Sequence, residues 1–303
     1  MTTYASALQA ARDAAASQHY PQTTLYLVAT PIGNLADISL RALYVLQMVD
    51  TVACEDTRHT QALLRAYGIE RPAAQLLALH QHNEREATEQ VMQRLRQGQR
   101  VAYVSDAGTP GISDPGARLV AALHANALSV VPIPGASSVT AAVSAAGLDI
   151  SAGDSFVFAG FLPTRSTERA AAIETLRAEP RAVVLLEAPH RVESLAAALA
   201  ALGERRLTVA RELTKQFEQI CTLRAVDFSA WLAADANRSR GEFVLVLHPD
   251  PIARTDDEAQ RVLQLLLAEL PLKTAVKLAV AITGAPRNSV YESALGMRGA
   301  QPD

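Results

Sequence analysis

One stretch of this chain, Val101–Gly116, gathers side chains that could grip a ligand: Ser105, Asp106, Thr109, Ser113 and Asp114. They sit among Gly108, Gly111 and Gly116, which admit backbone angles other residues avoid, and Pro110 and Pro115, which fix theirs. Such a loop can bring main-chain groups close to a small polar ligand and orient it with a few side chains. A second group, Glu55-Asp-Thr-Arg-His59, offers carboxylates for proton transfer and a guanidinium for an anion. Further polar groups are His80-Gln-His-Asn-Glu84, Glu187-Ala-Pro-His-Arg191, Arg211-Glu-Leu-Thr-Lys215 and Arg240-Gly-Glu242. On an extended segment His80 and His82 face opposite sides, and no cysteine or carboxylate cluster completes a metal site around them. We therefore expect no metal.

The elements that would position these groups alternate strand and helix. Short apolar strands are predicted at Leu25–Ala29, Thr51–Cys54, Leu76–Leu79, Val101–Val104 and Leu128–Val131. Each runs into a polar or glycine-bearing loop and then a helix. Asp37 or Ser39, Thr57, Asn83 and Asp114 are the expected N-caps, with Pro115 at the first helical position. Three loops, Thr30-Pro-Ile-Gly-Asn-Leu35, Ser105–Gly116 and Pro132-Ile-Pro-Gly-Ala-Ser-Ser138, should meet at one edge of a parallel sheet, where open α/β sheets bind ligands. From Ser155 onward the pattern turns strand-rich, with strands at 156–159, 182–186, 207–210, 217–222 and 243–247, a second and mixed sheet. A cleft between the two halves is the expected site. Pro249-Asp-Pro251 breaks the chain, and three short helices follow, the first starting at Asp256 or Asp257 and the last two joined at Gly284. They read as a helix-turn-helix or as a small cap on the core. The expected organisation is a flexible leader over 1–23, α/β domains over 24–134 and 135–249, a small helical domain over 255–296 and a tail over 297–303.

Composition narrows the classes. The net charge is −3 in 303 residues, so the whole surface is no electrostatic glove for nucleic acid. Clustering of Arg165, Arg169, Arg205, Arg206, Arg211, Arg238 and Arg240 on one face would be needed to supply a basic patch. The two cysteines, Cys54 and Cys221, make no disulfide framework, which suits a reducing cytoplasm. The first 22 residues lack the basic start and apolar core of a secretion signal, and no window reaches the apolar length of a membrane span. Neither G-x-G-x-x-G nor the phosphate-binding P-loop pattern occurs, which argues against nicotinamide cofactors and nucleotide hydrolysis.

Taken in order, Thr30-Pro-Ile-Gly-Asn-Leu-Ala-Asp37, Cys54-Glu-Asp-Thr-Arg-His-Thr60, His80-x-His-Asn-Glu84, Ser105-Asp-Ala-Gly-Thr-Pro110 with Asp114-Pro-Gly116, Pro132-x-Pro-Gly135, Ala210-Arg-Glu-Leu-Thr-Lys215 and Arg240-Gly-Glu242 carry a resemblance. Over roughly residues 24 to 248 the chain resembles the small-subunit ribosomal RNA methyltransferase family of the tetrapyrrole methylase superfamily. The resemblance implies a two-domain tetrapyrrole-methylase-like (class III methyltransferase) α/β fold with a small C-terminal helical region. It implies S-adenosyl-L-methionine as cofactor, held between the domains, and commonly a homodimer. The implied substrate is the ribose 2′-hydroxyl of a cytidine in the decoding centre of 16S rRNA. The family's cofactor contacts fall on Thr30, Pro31, Ile32 and Gly33, on Ser105, Asp106, Ala107 and Thr109, on Gly135, Ser137 and Ser138, and on the strand end near Glu187 and the segment around Cys221. The superfamily usually has a glycine-rich first loop; Thr30 and Pro31 stand in its place here, which fits the RNA-modifying branch.

Methyl transfer from a sulfonium is an in-line displacement, so the protein must hold nucleophile and methyl about 3 Å apart and collinear. A ribose hydroxyl must also lose its proton, and Glu55, Asp56, Glu84 and Glu187 are the candidate bases. Arg58, Arg191 and Arg211 are candidates for the phosphates beside the target nucleotide. His59 and His190 are further donors. Glu55, Arg58 and Glu187 are the favoured catalytic set, with the proton acceptor among them open. Two other readings stand beside this one: a methyltransferase for a tetrapyrrole or another small molecule, and a nucleotide-binding module without chemistry. The assembled small subunit is the expected substrate, because an acidic protein would have difficulty selecting one nucleotide in naked RNA.

Overall fold

A computed structural model describes residues 5–149 and 155–299. The chain divides into two compact units, Met1–Ala141 with Glu212–Glu218, and Ala142–Arg211 with Gln219–Asp303.

The first unit runs α1 (Ala5–Ala15), β1 (Thr24–Val28), α2 (Leu40–Met48), β2 (Thr51–Cys54), α3 (Thr57–Ala66), β3 (Leu76–Ala78), α4 (Glu84–Arg96), β4 (Arg100–Val104), α5 (Gly116–Ala125) and β5 (Ser129–Ile133), and α6 (Ser138–Ala145) spans the division. Its strands form one parallel sheet in the order β3-β2-β4-β1-β5. Side chains alternate across it as the two-residue period demands. Tyr26, Val28, Val52, Cys54, Ala102 and Val104 pack with α2 and α3 on one face. Leu25, Ala53, Val101 and Tyr103 pack with α4 and α5 on the other. Both faces are covered, which is why these strands read as continuous apolar runs.

Several expectations are corrected here. The leader expected to be flexible contains α1, whose Ala11 and Ala15 are buried, Ala11 within the core that α2 and α3 share. Thr57 does not cap α3; the Asp56 side chain does, accepting from the backbone of Arg58 and His59. Asn83 stands at the cap position of α4 but turns back, accepting from His80 N and donating to Ala78 O. Strand β5 continues through Pro132 to Ile133; Pro132 is tolerated because β5 is an edge strand. Ser39 caps α2 as expected.

Asp114 organises the start of α5. Its Oδ1 accepts from Gly116 N and from the Tyr103 hydroxyl, and its Oδ2 accepts from Gly111 N. Pro115 itself takes the cap position, so α5 starts one residue later than expected. Tyr103 lies so close that a β-carbon on Gly116 would overlap its ring and stand 2.7 Å from Asp114 Oδ1. Both neighbours are held, so Gly116→Ala is expected to destabilise the chain by about 1–3 kcal/mol. The check is a lower urea midpoint with an unchanged slope.

The second unit contains β6 (Phe156–Phe161), α7 (Ser166–Ala178), β7 (Ala182–Glu187), α8 (Val192–Leu199), β8 (Arg206–Arg211), β9 (Gln219–Arg224), α9 (Phe228–Ala233) and β10 (Phe243–Leu247). The sheet order is β6-β7-β10-β8-β9, with β6 and β7 parallel and the other pairs antiparallel, so the sheet is mixed. Val183, Leu185, Leu207, Val209, Phe243, Leu245 and Leu247 join α7, α8 and α9 in one core. The helix α9 was not foreseen; its buried Phe228 and Leu232 stand at helical spacing, in a segment too short for a clear period. The chain then forms α10 (Pro251–Glu269), α11 (Leu272–Thr283) and α12 (Arg287–Gly299). The first of these starts at Pro251 with Asp250 as cap, not at Asp256 or Asp257. Leu263, Ala275, Val276, Ala279, Val290 and Ala294 make their own small core, and Gly284 turns between α11 and α12 with φ of 70°. The division between units falls inside α6, not at 134/135, and the three helices group with the second unit.

Candidate functional site

The parallel register places the carboxyl ends of β4, β1 and β5 side by side, so the three glycine-bearing loops share one sheet edge. They are also bonded to one another. Thr30 N donates to Gly108 O at 3.0 Å and Gly108 N returns a bond to Thr30 O at 3.1 Å. The Thr30 hydroxyl reaches Ser105 O, and the Thr109 hydroxyl reaches Ala136 O at 2.9 Å. The Ser105 hydroxyl closes its own loop on Ala107 O and Gly108 O. Gly135 lies against Ala29, where a β-carbon would stand 2.9 Å from the Ala29 methyl. Gly108 carries a φ of 82°, a left-handed conformation that side chains rarely adopt.

This arrangement gives the predicted residues different jobs. Thr30 and Thr109 use their side chains to lock the loops together, Ser105 uses its own to close its loop, and Thr30, Pro31 and Ser105 are buried. The groups left facing outward are Gly33, Asp106, Ala107 and Gly135, with Ile32, Ser137 and Ser138 half-buried beside them. Ser138 opens α6, and Ser137 O accepts from Ala141 N in its first turn. The result is a rigid rim of main-chain groups with one outward carboxylate, Asp106.

Glu55 follows β2, the strand next to β4, and its Oε1 accepts from Asp106 N at 3.1 Å. Burial pushes its carboxyl above the usual range; the Asp106 N–H opposes this, and the Asp106 and Asp114 charges add to it. The neighbouring Cys54 thiol is pushed up to about 11 by burial, so it is a core residue and no nucleophile. Asp56 is otherwise engaged: Arg58 and two backbone N–H groups hold it below the usual carboxylate range. Arg58 is an exposed arginine paired with Asp56 at 3.2 Å. Glu84 pairs with Arg118 at 2.8 Å. Among the described residues no three His, Cys, Asp or Glu side chains converge as metal ligands.

The remaining candidates belong to the second unit. Glu187 is buried at the end of β7, paired with Arg191 at 2.9 Å, and its Oε1 accepts from Ala188 N. Arg191 also donates to Leu162 O. Cys221 on β9 packs against the core of its unit, and burial raises its thiol. The arginines that a basic patch would need divide between structural and exposed ones. Arg205 is buried and donates to His248 O, Leu176 O and Arg181 O. Arg211 is buried and donates to Arg240 O and Asn237 O. Arg169 binds Pro163 O, Thr164 O and Ser194, and Arg238 lies over the Trp231 ring. These four hold structure; Arg165, Arg206 and Arg240 are exposed.

Comparison with known proteins agrees with the fold and extends it. Residues 24–227 match the family described as Tetrapyrrole (Corrin/Porphyrin) Methylases, and residues 253–298 match the RsmI C-terminal HTH domain. Ribosomal RNA small subunit methyltransferase I of Pseudomonas aeruginosa is 49% identical over 282 residues, covering 91% of this chain and 98% of that protein. The protein of the same name from Escherichia coli O157:H7 is 47% identical, covering 92% of this chain and 96% of that one. Among solved structures, diphthine synthase superposes with a TM-score of 0.57 at 17% identity, covering 74% of this chain and 90% of that one. The cobalamin biosynthetic enzyme cobalt precorrin-4 methyltransferase gives 0.54 at 18% identity, covering 75% and 95%. These two share the fold. From the matched family and the near-full-length relatives together, this chain belongs to the tetrapyrrole methylase family, in its ribosomal RNA small subunit methyltransferase I group.

Proposed function

We propose that the chain transfers a methyl group from S-adenosyl-L-methionine to the ribose 2′-hydroxyl of a cytidine in the decoding centre of 16S rRNA, within the assembled small subunit. The observation that carries the reading is the near-half identity, over nine-tenths of the chain, to relatives named as small-subunit rRNA methyltransferases. The interlocked rim fits the cofactor. Its exposed backbone at Gly33, Ala107 and Gly135 allows close approach, and the outward Asp106 carboxylate suits ribose hydroxyls or an ammonium. When bound, the cofactor supplies a methyl already activated by its sulfonium.

What the chain itself must do is orient and deprotonate. A rim tied by reciprocal backbone bonds has its main-chain groups in place before binding, which favours the collinear geometry. Glu55, next to Asp106 and raised by burial, is the best-placed proton acceptor among the candidates, because Asp56, Glu84 and Glu187 are each held by an arginine. Glu55, Asp106 and Asp114 also make a poor reception for a tetrapyrrole rich in carboxylates. A homodimer acting in the cytoplasm, with residues 255–296 as an accessory module, completes the proposal. No helix of the described residues is long and apolar enough to cross a membrane.

The test is transfer of labelled methyl from S-adenosyl-L-methionine to purified small subunits, with nuclease digestion to locate the label. Label is expected on a cytidine 2′-oxygen, with Asp106→Ala reducing transfer by about tenfold or more through weaker cofactor binding. Label on a tetrapyrrole precursor and none on the subunit would overturn the reading. Saturable cofactor binding with no acceptor of either kind would leave a binding module.

A further inference from the structure

We propose that Lys215 is the acceptor-side cation of this site, its ammonium holding the phosphodiester next to the target ribose. The inference rests on the proposed rRNA substrate and assigns the residue that meets it.

The segment Glu212–Glu218 joins β8 to β9 of the second unit yet belongs to the first. Two of its non-glycine residues, Glu212 and Thr214, adopt left-handed backbone with φ of 52° and 66°. For threonine, a β-branched residue, that conformation is a true outlier. Such strain persists where the surroundings over-determine it, and it concentrates at ligand sites. Here the loop is tied by Lys215 N to Glu212 O at 3.0 Å, by Glu218 N to Lys215 O at 3.1 Å, and by Thr214 N to Glu218 Oε2 at 2.6 Å.

What the strained loop achieves is the placement of one side chain. The arm of Lys215 lies across Gly33, where a β-carbon would overlap Lys215 Cγ and stand 3.0 Å from Cε. Gly33 is one of the exposed groups of the rim, so the lysine runs along the turn assigned to the cofactor. The ammonium donates to Glu212 Oε1 at 2.8 Å. Beside the arm, the Thr214 hydroxyl oxygen is buried without a hydrogen-bond partner among the described residues, 3.1 Å from the same point above Gly33. A buried hydroxyl left unbonded is costly, and its retention marks a face completed by something other than the protein.

Charge decides which ligand the lysine serves. S-adenosylmethionine carries a sulfonium and an ammonium against one carboxylate, so a lysine gains little from this net cation. The acceptor carries a phosphate at every nucleotide, and a lysine on a fixed arm supplies a point charge for one of them. An acidic protein whose Arg169, Arg205, Arg211 and Arg238 are bound to its own backbone needs such local contacts.

The test uses the full chain, small subunits and the methyl-transfer assay. Lys215→Met keeps a hydrocarbon arm on Gly33 and removes the charge; Lys215→Arg keeps the charge. Lys215→Met is expected to raise KM for subunits by about tenfold. It should also flatten the slope of log affinity against log salt by about 0.7–0.9, the contribution of one phosphate. KM for the cofactor should stay unchanged, any stability lost by unpairing Glu212 should return in Glu212→Gln/Lys215→Met, and Lys215→Arg should restore most of the affinity. An unchanged salt slope and subunit KM would overturn the proposal. So would a loss of cofactor affinity, or a loss of stability that Glu212→Gln does not recover, which would make the lysine a strut for the turn, and so would a fall in kcat at saturating subunits with the salt slope intact. Absence of any subunit methylation by the wild-type chain would instead overturn the functional reading, which separates the two failures.

Discussion

Glu55→Gln is expected to lower kcat by about 10²–10⁴-fold, the range for removing a positioned proton acceptor. Glu55 stands at the end of β2, bonded to the backbone of Asp106 in the adjoining loop, and burial raises its pKa. A raised pKa makes it a stronger base toward a ribose hydroxyl. The wild-type rate should therefore fall as pH drops through the raised Glu55 value, and that limb should vanish in the glutamine variant.

Stability should move the other way. A carboxyl whose pKa is raised on folding favours the folded state at pH below its unfolded value, and this contribution is lost as pH rises through the folded value. Above the folded value the charged Glu55 is thus unfavourable to folding. Glutamine retains an oxygen for the Asp106 N–H without the charge, so Glu55→Gln should keep or raise Tm there while activity falls. Unchanged kcat, or activity and Tm lost together, would reject Glu55 as the base.

Arg191→Met is expected to destabilise the chain by about 3–5 kcal/mol, the cost of leaving a buried charge without its partner. The Glu187 side chain is 1% exposed and its ion partner is Arg191. Removing Arg191 also frees Leu162 O, which it bonds. The double variant Glu187→Gln/Arg191→Met should recover most of the loss, because neither charge remains. Tm and urea midpoints measure the stability, and methyl transfer by the double variant decides the role of Glu187. Near-normal transfer makes the pair structural; a loss matching that of Glu55→Gln returns Glu187 to the reacting centre.

Much of this protein was legible in its residues because the physics involved is local. Apolar runs such as Val101–Val104 and Phe243–Leu247 predict buried strands wherever they lie, and both are strands. The glycines and prolines of Ser105–Gly116 exclude helix and strand, and the loop lies where a parallel sheet presents its ligand edge. The ordered motifs carried the family, and the matched relatives agree with it. Caps were less legible. Thr57 and Asp56 are both good capping residues one position apart, and only the helix geometry selected Asp56.

Tertiary structure alone decided what each polar residue does. Composition does not reveal that the Thr30 and Thr109 hydroxyls join loops, because their partners lie 75 and 27 positions away. Nor does it reveal that Arg205 and Arg211 are buried, since a guanidinium in a core depends on carbonyls assembled from distant segments. The left-handed turns at Glu212 and Thr214 carry no glycine to signal them, so the placement of Lys215 on Gly33 was invisible in sequence. Residue type and spacing determined the elements, the sheet edge and the family. Burial and long-range hydrogen bonding, which exist only once the chain is packed, separated the groups that hold the fold from those left facing outward.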